Sequence, residues 1–514
     1  MLPGTRAAPR PDHPAVIMAG TGETLSHAEM ETGSARLARW LVDHDMRPGD
    51  AIALVADNSP RVFEVYWASQ RCGLLLTAVN HHLTPAEIAY IVDDCAAKAL
   101  VVAGSLGALA AAVGAAVPEV GLRLAYGPAV PGFDDYDAAL EHVSGEPLAE
   151  EPAGASMLYS SGTTGRPKGV RPPMPQRRID EPGDANVAVF GPLYGFTPET
   201  VYLSPAPLYH AAPLRFTVAV QALGGTVVAM DRFDAQEALA AIEKYQATHS
   251  QWVPTMFVRL LKLPPQVRAR YDVSSMRVAI HAAAPCPIDV KRAMIEWWGP
   301  VLYEYYAATE SIGMTFLDSA QWLAHPGSVG RAALGALRIA DTETGELLPP
   351  GRVGTVYFER TDGPLFTYHN DPEKTRESRH PEHDDWATTG DLGYVDEEGW
   401  LYLTDRKAFM IISGGVNIYP REAEDALALH PAVLDVAVIG VPDAEMGEAV
   451  LAVVQPAPDA TPGPELEREL IAHTREHIAA FKAPRRVVFT PDLPRTPTGK
   501  LVKQKLRDRY PAMP

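Results

Sequence analysis

The chain has 514 residues, 46% of them hydrophobic and 21% charged, which suits a folded protein of two to four packed units and excludes a disordered or fibrous chain. Its net charge of −19 argues against nucleic acid or an anionic membrane as partner, though a local phosphate site stays compatible with it. The three cysteines, Cys72, Cys95 and Cys286, lack the spacing of a disulfide scaffold or zinc site, so a reducing cytoplasm is expected. Met1 to Pro14 lacks an apolar core, predicting no secretory signal, and the apolar run Leu106 to Val117 is too short to span a bilayer and reads as a buried helix.

Short apolar runs then alternate with amphipathic helices. A strand is predicted at Ala15 to Ala19 and a helix from about Ser26 to Asp43. Strands follow at Ala51 to Ala56, Leu74 to Val79 and Ala99 to Ala103. Between them, Pro60 suits the first position of a helix, and Thr84-Pro85-Ala86-Glu87 reads as a capping box. Residues 118 to 153 read as a connection with little core of its own, and Arg171 to Thr200 yields no assignment. A second alternating region places strands at Thr226 to Met230, Thr248 to Val253, Val278 to Ala282 and Val301 to Tyr305. Helices are expected from Asp234 to Tyr245, Met256 to Leu263 and Ile288 to Trp298. Repeated strand–helix–strand units argue for parallel, doubly wound sheets. Residues 326 to 404 suggest a smaller β-rich subdomain. After a boundary near Asp405 comes a unit with strands near Leu434 to Val441, Ala449 to Val454 and Arg486 to Phe489, and a helix near Glu465 to Ala480.

The chemistry concentrates in Tyr159-Ser160-Ser161-Gly162-Thr163-Thr164-Gly165-Arg166-Pro167-Lys168-Gly169-Val170. Glycines permit positive φ and close approach of the backbone to a ligand, successive N–H groups form an anion-binding concavity, and hydroxyls and a lysine add donors. A polyphosphate is the simplest ligand needing all of these. The spacing is not G-x-x-x-x-G-K-[ST], and a Ser/Thr/Gly-rich linker is the bland alternative.

This segment resembles the phosphate-binding signature of the adenylate-forming superfamily, which includes acyl-CoA synthetases, adenylation domains of peptide synthetases and luciferases. Further segments are similar to that family's signatures. Pro207-Leu208-Tyr209-His210-Ala211-Ala212-Pro213 implies His210 at the mouth of an acyl pocket, although a lone histidine there also reads as a satisfied structural residue. His281-Ala282-Ala283-Ala284-Pro285 resembles a small-residue segment between nucleotide and acyl sites, implicating Ala283. In Tyr303-Glu304-Tyr305-Tyr306-Ala307-Ala308-Thr309-Glu310 the resemblance implies that Tyr306 stacks on adenine, Thr309 binds the α-phosphate and Glu310 helps hold Mg²⁺; Tyr303 and Tyr305 read as core. Asp391, in Thr388-Thr389-Gly390-Asp391-Leu392-Gly393, would accept from the ribose hydroxyls, with Arg406 nearby. Gly414 and Gly415 resemble the loop that approaches the thiol channel, and Lys500, in Pro494-Arg495-Thr496-Pro497-Thr498-Gly499-Lys500, matches the catalytic lysine. The family often has glycine where Tyr305 and Ala307 stand, and a charged hinge residue where Ala408 stands.

The resemblance implies an α/β fold. Two doubly wound α/β subdomains and a small β-rich subdomain would occupy 1–405, and a small mobile α+β domain 406–514, with a hinge near 405–408. It implies activation of a carboxylic acid by ATP with Mg²⁺ and transfer to CoA. A carrier-protein thiol, an amine, or nitrite on an aryl amine are alternative acceptors, and a non-catalytic nucleotide-binding protein is the reading from another class. Trp252, Val253, His281, Ala282, Ala307 and Met314 are candidates for the acyl pocket, and nothing separates a fatty from an aryl or polycyclic acid. A homodimer stays open.

Overall fold

The computed structural model describes residues 10–160, 167–361, 365–406, 409–413, 416–443, 446–495 and 501–513, and of Ser160, Asp405, Arg406 and Asn417 the backbone alone. Two large sheets dominate. The first has six strands, all parallel, with Ala51–Val55 near its centre between Leu75–Val79 and Ala97–Ala103. The second has nine strands. Its parallel interior runs Leu302–Ala307, Val278–His281, His249–Trp252, Val201–Ser204, Thr226–Ala229, Pro14–Met18, and antiparallel strands close both edges.

The reason for the layering is legible in the strands. All five residues of Ala51–Val55 are buried, as a parallel strand covered on both faces requires. Ile52 and Leu54 join a core shared with the second sheet, while Ala51, Ala53 and Val55 join the core on the opposite face. The shared core is filled by the helices His27–Asp43, Pro60–Arg71 and Ala211–Ala222. A third core covers the far face of the second sheet through Pro254–Leu261 and Ile288–Trp298. Loop ends at the carboxyl edge of parallel strands are where such folds bind ligands.

A five-stranded sheet follows, built from Ala336–Ala340, Gly354–Glu359, Trp386–Ala387, Asp391–Val395 and Leu401–Arg406. The C-terminal sheet centres on the long hairpin Val433–Asp443 and Gly447–Pro456, with Arg486–Phe489 parallel to the latter. Pro420–Ala428 and Pro464–His477 cover one face and Lys503–Arg509 the other. Arg421 donates to the Leu403 carbonyl at 3.0 Å, and Lys262 reaches the carbonyls of Val433 and Leu434, joining this unit to the rest.

Three expectations need correction. Residues 118 to 153 contribute real core: Leu122–Tyr126 joins the first sheet, and Tyr136 is fully buried with its hydroxyl on Glu64 at 3.2 Å. The alanine-rich helix is Ala108–Ala116 and buries only Ala110, Val113 and Gly114, because alanine covers a surface without filling one. Within 171–200 lies an unassigned helix, Ala185–Tyr194, capped by Asp184 and packed on Ala211–Ala222. Cys72, Cys95 and Cys286 are buried free thiols. Among the described residues no helix is long and apolar enough to cross a membrane.

Candidate active site

The glycine- and hydroxyl-rich stretch is bounded by a two-stranded ladder. Leu158–Ser160 pairs antiparallel with Lys168–Arg171, Lys168 opposite Ser160 and Gly169 opposite Tyr159. A Cβ on Gly169 would come within 2.8 Å of Met157 and 3.0 Å of the Tyr159 ring, so the position has no room for a side chain. The Tyr159 hydroxyl donates to Asp94 Oδ2 at 2.5 Å, fixing the ladder to the helix Pro85–Asp94. Ser161, Gly162, Thr163, Thr164 and Gly165 lie outside the described residues.

Lys168 faces a third strand. Thr367–Tyr368 pairs with Lys168–Arg171, and Lys168 Nζ stands 3.6 Å from Asp371 Oδ2 and 5.7 Å from the centroid of the Tyr368 ring. The same tyrosine's hydroxyl donates to Glu310 Oε1 at 2.7 Å. One aromatic ring therefore stands between the lysine of the glycine-rich segment and the carboxylate just beyond the strand Leu302–Ala307. Sequence reading missed Tyr368, whose position comes from strand pairing alone.

The strand Leu302–Ala307 carries Tyr306 to the carboxyl edge, and a turn follows at Thr309 and Glu310. The Tyr306 hydroxyl donates to Asp391 Oδ2 at 2.7 Å, as does Thr389 Oγ1 at 2.7 Å. The Tyr306 ring lies 5.9 Å from Phe358. Arg406 stands opposite Asp391 in the antiparallel ladder. Tyr306, Asp391 and the backbone of Arg406 thus converge, with Thr309 and Glu310 following Tyr306 in the chain, and Tyr368 touches both Lys168 and Glu310. Tyr305 is core, stacked 5.7 Å from Phe216, and Tyr303 packs against Phe316 at 5.9 Å.

His210 is the residue before the helix Ala211–Ala222, half-buried, its ring 4.4 Å from Tyr209. Ala283, in the middle of the small-residue segment, has φ of +74° and an exposed side chain, a left-handed backbone that a non-glycine residue adopts at a cost on the order of 1 kcal/mol. Trp252 and His281 do not line the cleft. Both are buried on the far face of the sheet, with Trp252 Nε1 on Ser250 Oγ at 2.5 Å and His281 5.5 Å from the Phe257 ring. Beside them Lys291 Nζ meets Glu304 Oε2 at 2.6 Å, also buried. Burial and the Lys291 charge hold His281 well below the usual histidine range, so its imidazole stays neutral. Val253, Ala282 and Met314 are buried too, leaving half-buried Ala307 as the open member of that group.

Two further candidates fall outside the described residues, but their flanks do not. Gly414 and Gly415 join Ser413 to Val416, which pair directly. Lys500 belongs to a segment closed by an antiparallel bridge between Arg495 and Leu501. Arg495 is held by Asp435 through Nε at 2.5 Å and Nη2 at 2.6 Å.

Among the described residues no group of three or more His, Cys, Asp or Glu could hold a metal unaided. A single carboxylate such as Glu310 suits a cation whose other ligands are phosphate oxygens and water. Arg215, unforeseen in the sequence, donates from Nη2 to the Thr309 carbonyl at 3.1 Å; an isolated cation in an apolar helix was the available signal.

A family model described as AMP-binding enzyme matches residues 5–363, and the model of its C-terminal domain matches 422–500. The chain is 34% identical to a feruloyl-CoA synthase of Amycolatopsis sp over 99% of this chain and 98% of that protein. It is 31% identical to a fatty acid–[acyl-carrier-protein] ligase of Streptomyces coeruleorubidus over 97% of this chain and 94% of that one. Among solved structures, an amide bond synthetase from Marinactinospora thermotolerans superposes with a TM-score of 0.80 at 30% identity, covering 99% of both chains.

Proposed function

The chain belongs to the AMP-binding enzyme family, and from that premise we propose that it activates a carboxylic acid with ATP and passes the acyl group to the thiol of CoA. The observation that carries the reading is the meeting of Tyr306 with Asp391, 85 residues apart in the chain, at the carboxyl edge where Thr309 and Glu310 also lie.

A carboxylate is a poor acyl donor because its leaving group would be oxide. An oxygen of the acid attacks the α-phosphorus of ATP, the bond to the β-phosphate oxygen breaks, and pyrophosphate leaves. The thiol then adds to the carbonyl of the acyl-adenylate, loses its proton and expels AMP. Charge accumulates in the first step, so the protein's work is positioning and electrostatic stabilisation. In this reading Tyr306 stacks on adenine, Asp391 and Arg406 hold the ribose, and Thr309 meets the α-phosphate. Lys168 and the hydroxyls of 160–164 hold the distal phosphates. Lys500 bridges the carboxylate and the α-phosphate, and His210 guards the acyl pocket. Glu310 would contribute one oxygen to Mg²⁺, which when bound neutralises phosphate charge. The small unit beyond a hinge at 405–408 would then turn to withdraw Lys500 and present Gly414 and Gly415 to CoA.

A second reading keeps the adenylation and changes the acceptor. It is favoured by relatives named for transfer to a carrier protein and for amide formation. Pyrophosphate release over a panel of aliphatic, aryl and polycyclic acids, with and without CoA, separates the two. Turnover requiring one acid class and CoA supports the ligase, whereas acid-dependent release indifferent to CoA supports another acceptor. Lys500→Ala should abolish product while ATP still binds; unchanged turnover would remove Lys500 from the mechanism.

A further inference from the structure

Arg215 is the only charged residue in the helix Ala211–Ala222, and its guanidinium lies between that helix and the turn after Leu302–Ala307. Its one hydrogen bond among the described residues is the one to the Thr309 carbonyl, a neutral group, and it forms no ion pair among them. Glu310 acts on it only through longer-range charge, and burial works against its charged form. A guanidinium offers five donors and does not give up its proton in proteins. Partly desolvated and with one neutral protein acceptor, it keeps donors for water or a ligand to satisfy.

The side chain is nevertheless partly exposed. Arg215 is half-buried, as are His210, Ala211 and Ala212 beside it and Tyr306 to Glu310 opposite. Its neighbour in the helix, Phe216, belongs to the packed core. Tyr305 and Phe216 stack 5.7 Å apart, both buried, and Gln251 Nε2 fixes the Tyr305 hydroxyl at 2.8 Å. A partly exposed cation therefore stands beside a buried aromatic pair.

We propose that Arg215 selects the acid, by hydrogen-bonding a second oxygen acceptor, a carboxylate or a keto group, that the acid carries away from the carboxyl being activated. This rests on the acid-activation reading above. A guanidinium clamped on the attacking carboxylate would stabilise the ground-state anion and blunt the nucleophile, whereas the same contact to a spectator oxygen supplies binding alone.

The test compares matched acids: hexanoate, 5-oxohexanoate and hexanedioate. For each, kcat/KM for pyrophosphate release is measured in the native enzyme, Arg215→Met and Arg215→Lys, with thermal midpoints as the control for folding. The native enzyme should prefer an acceptor-bearing acid over hexanoate by about tenfold or more, and Arg215→Met should erase that preference, chiefly through KM. Arg215→Lys should keep more of the preference for hexanedioate, which answers to charge, than for 5-oxohexanoate. A selectivity ratio unchanged in Arg215→Met, or an equal loss on all three acids, would overturn the assignment. Calorimetric titration of the same acids without nucleotide gives a readout independent of turnover. Binding that weakens about tenfold in Arg215→Met for the acceptor-bearing acids alone supports the proposal; binding that is equal in both proteins, or absent from the native one, overturns it. Silence of the native enzyme in the pyrophosphate assay, with selective binding intact, would count against the ligase reading and leave Arg215 as the acid's anchor.

Discussion

Tyr306 performs two tasks with one side chain: its ring forms part of the cleft and its hydroxyl fixes Asp391 at 2.7 Å. Tyr306→Phe keeps the ring and removes the donor, so KM for ATP should rise about tenfold with kcat nearly unchanged, as loss of a hydrogen bond to a charged group predicts. Steady-state kinetics at saturating acid would check it, and an unaltered KM would detach Asp391 from nucleotide binding. The buried pair of Lys291 and Glu304 predicts something different. Lys291→Met strands a buried carboxylate, so unfolding by urea should show a loss of about 3–5 kcal/mol. At this scale the sequence exposes what local motifs carry. Thr309, Glu310, Lys168 and Lys500 stand in short recognisable strings, while Tyr368 reaches the site through pairing with a strand some 200 positions earlier, register Val170 to Tyr368, and no string announces that.

The elements that sequence reading locates best have both a period and a start signal. The helix Pro85–Asp94 has proline in its first turn and a complete capping box, Thr84 Oγ1 accepting from the Glu87 backbone while Glu87 accepts from Thr84. Thr84→Ala should cost about 1 kcal/mol in a denaturant titration. Backbone and side-chain hydrogen bonds from Thr84 hold the Glu87 carboxyl below its ordinary value. A depressed carboxyl stabilises the fold above its unfolded pKa and stops doing so as pH falls through the folded one, so the penalty of Thr84→Ala should fade in acid. The helix Ala185–Tyr194 escapes such reading because it is apolar around its circumference and contains Gly191 and Pro192, so neither period nor composition marks it. The strand Leu122–Tyr126, second from the edge of its sheet, escapes because parallel partners, not its own pattern, make it a strand.

Across the molecule, two buried histidines join distant layers. His27 Nε2 meets the Gly225 carbonyl at 3.1 Å, and His249 Nε2 meets the Tyr194 carbonyl at 3.0 Å. Burial lowers each to about 4. The folded chain keeps them neutral where the unfolded chain would already be protonated, so stability should fall as pH drops from about 6.5 towards about 4, by up to about 3 kcal/mol for each. Urea midpoints across that window measure the fall, and His249→Gln should flatten it; a pH-independent midpoint would contradict the burial argument. The doubly wound layers were legible from alternating strands and helices, whereas the order of the nine strands was not, since it is set by long-range pairing.

The salt bridge between Arg495 and Asp435 carries one more consequence. With Arg495 pinned to the hairpin strand and bridged to Leu501, neither end of the segment bearing Lys500 travels without the C-terminal sheet. In the proposed two-step cycle, withdrawing the lysine therefore drags a whole domain through solvent, and friction opposes that stroke as it would not oppose a small flap. Added sucrose should slow turnover in step with the viscosity of the medium if the stroke sets the rate, and leave it untouched if bond making does.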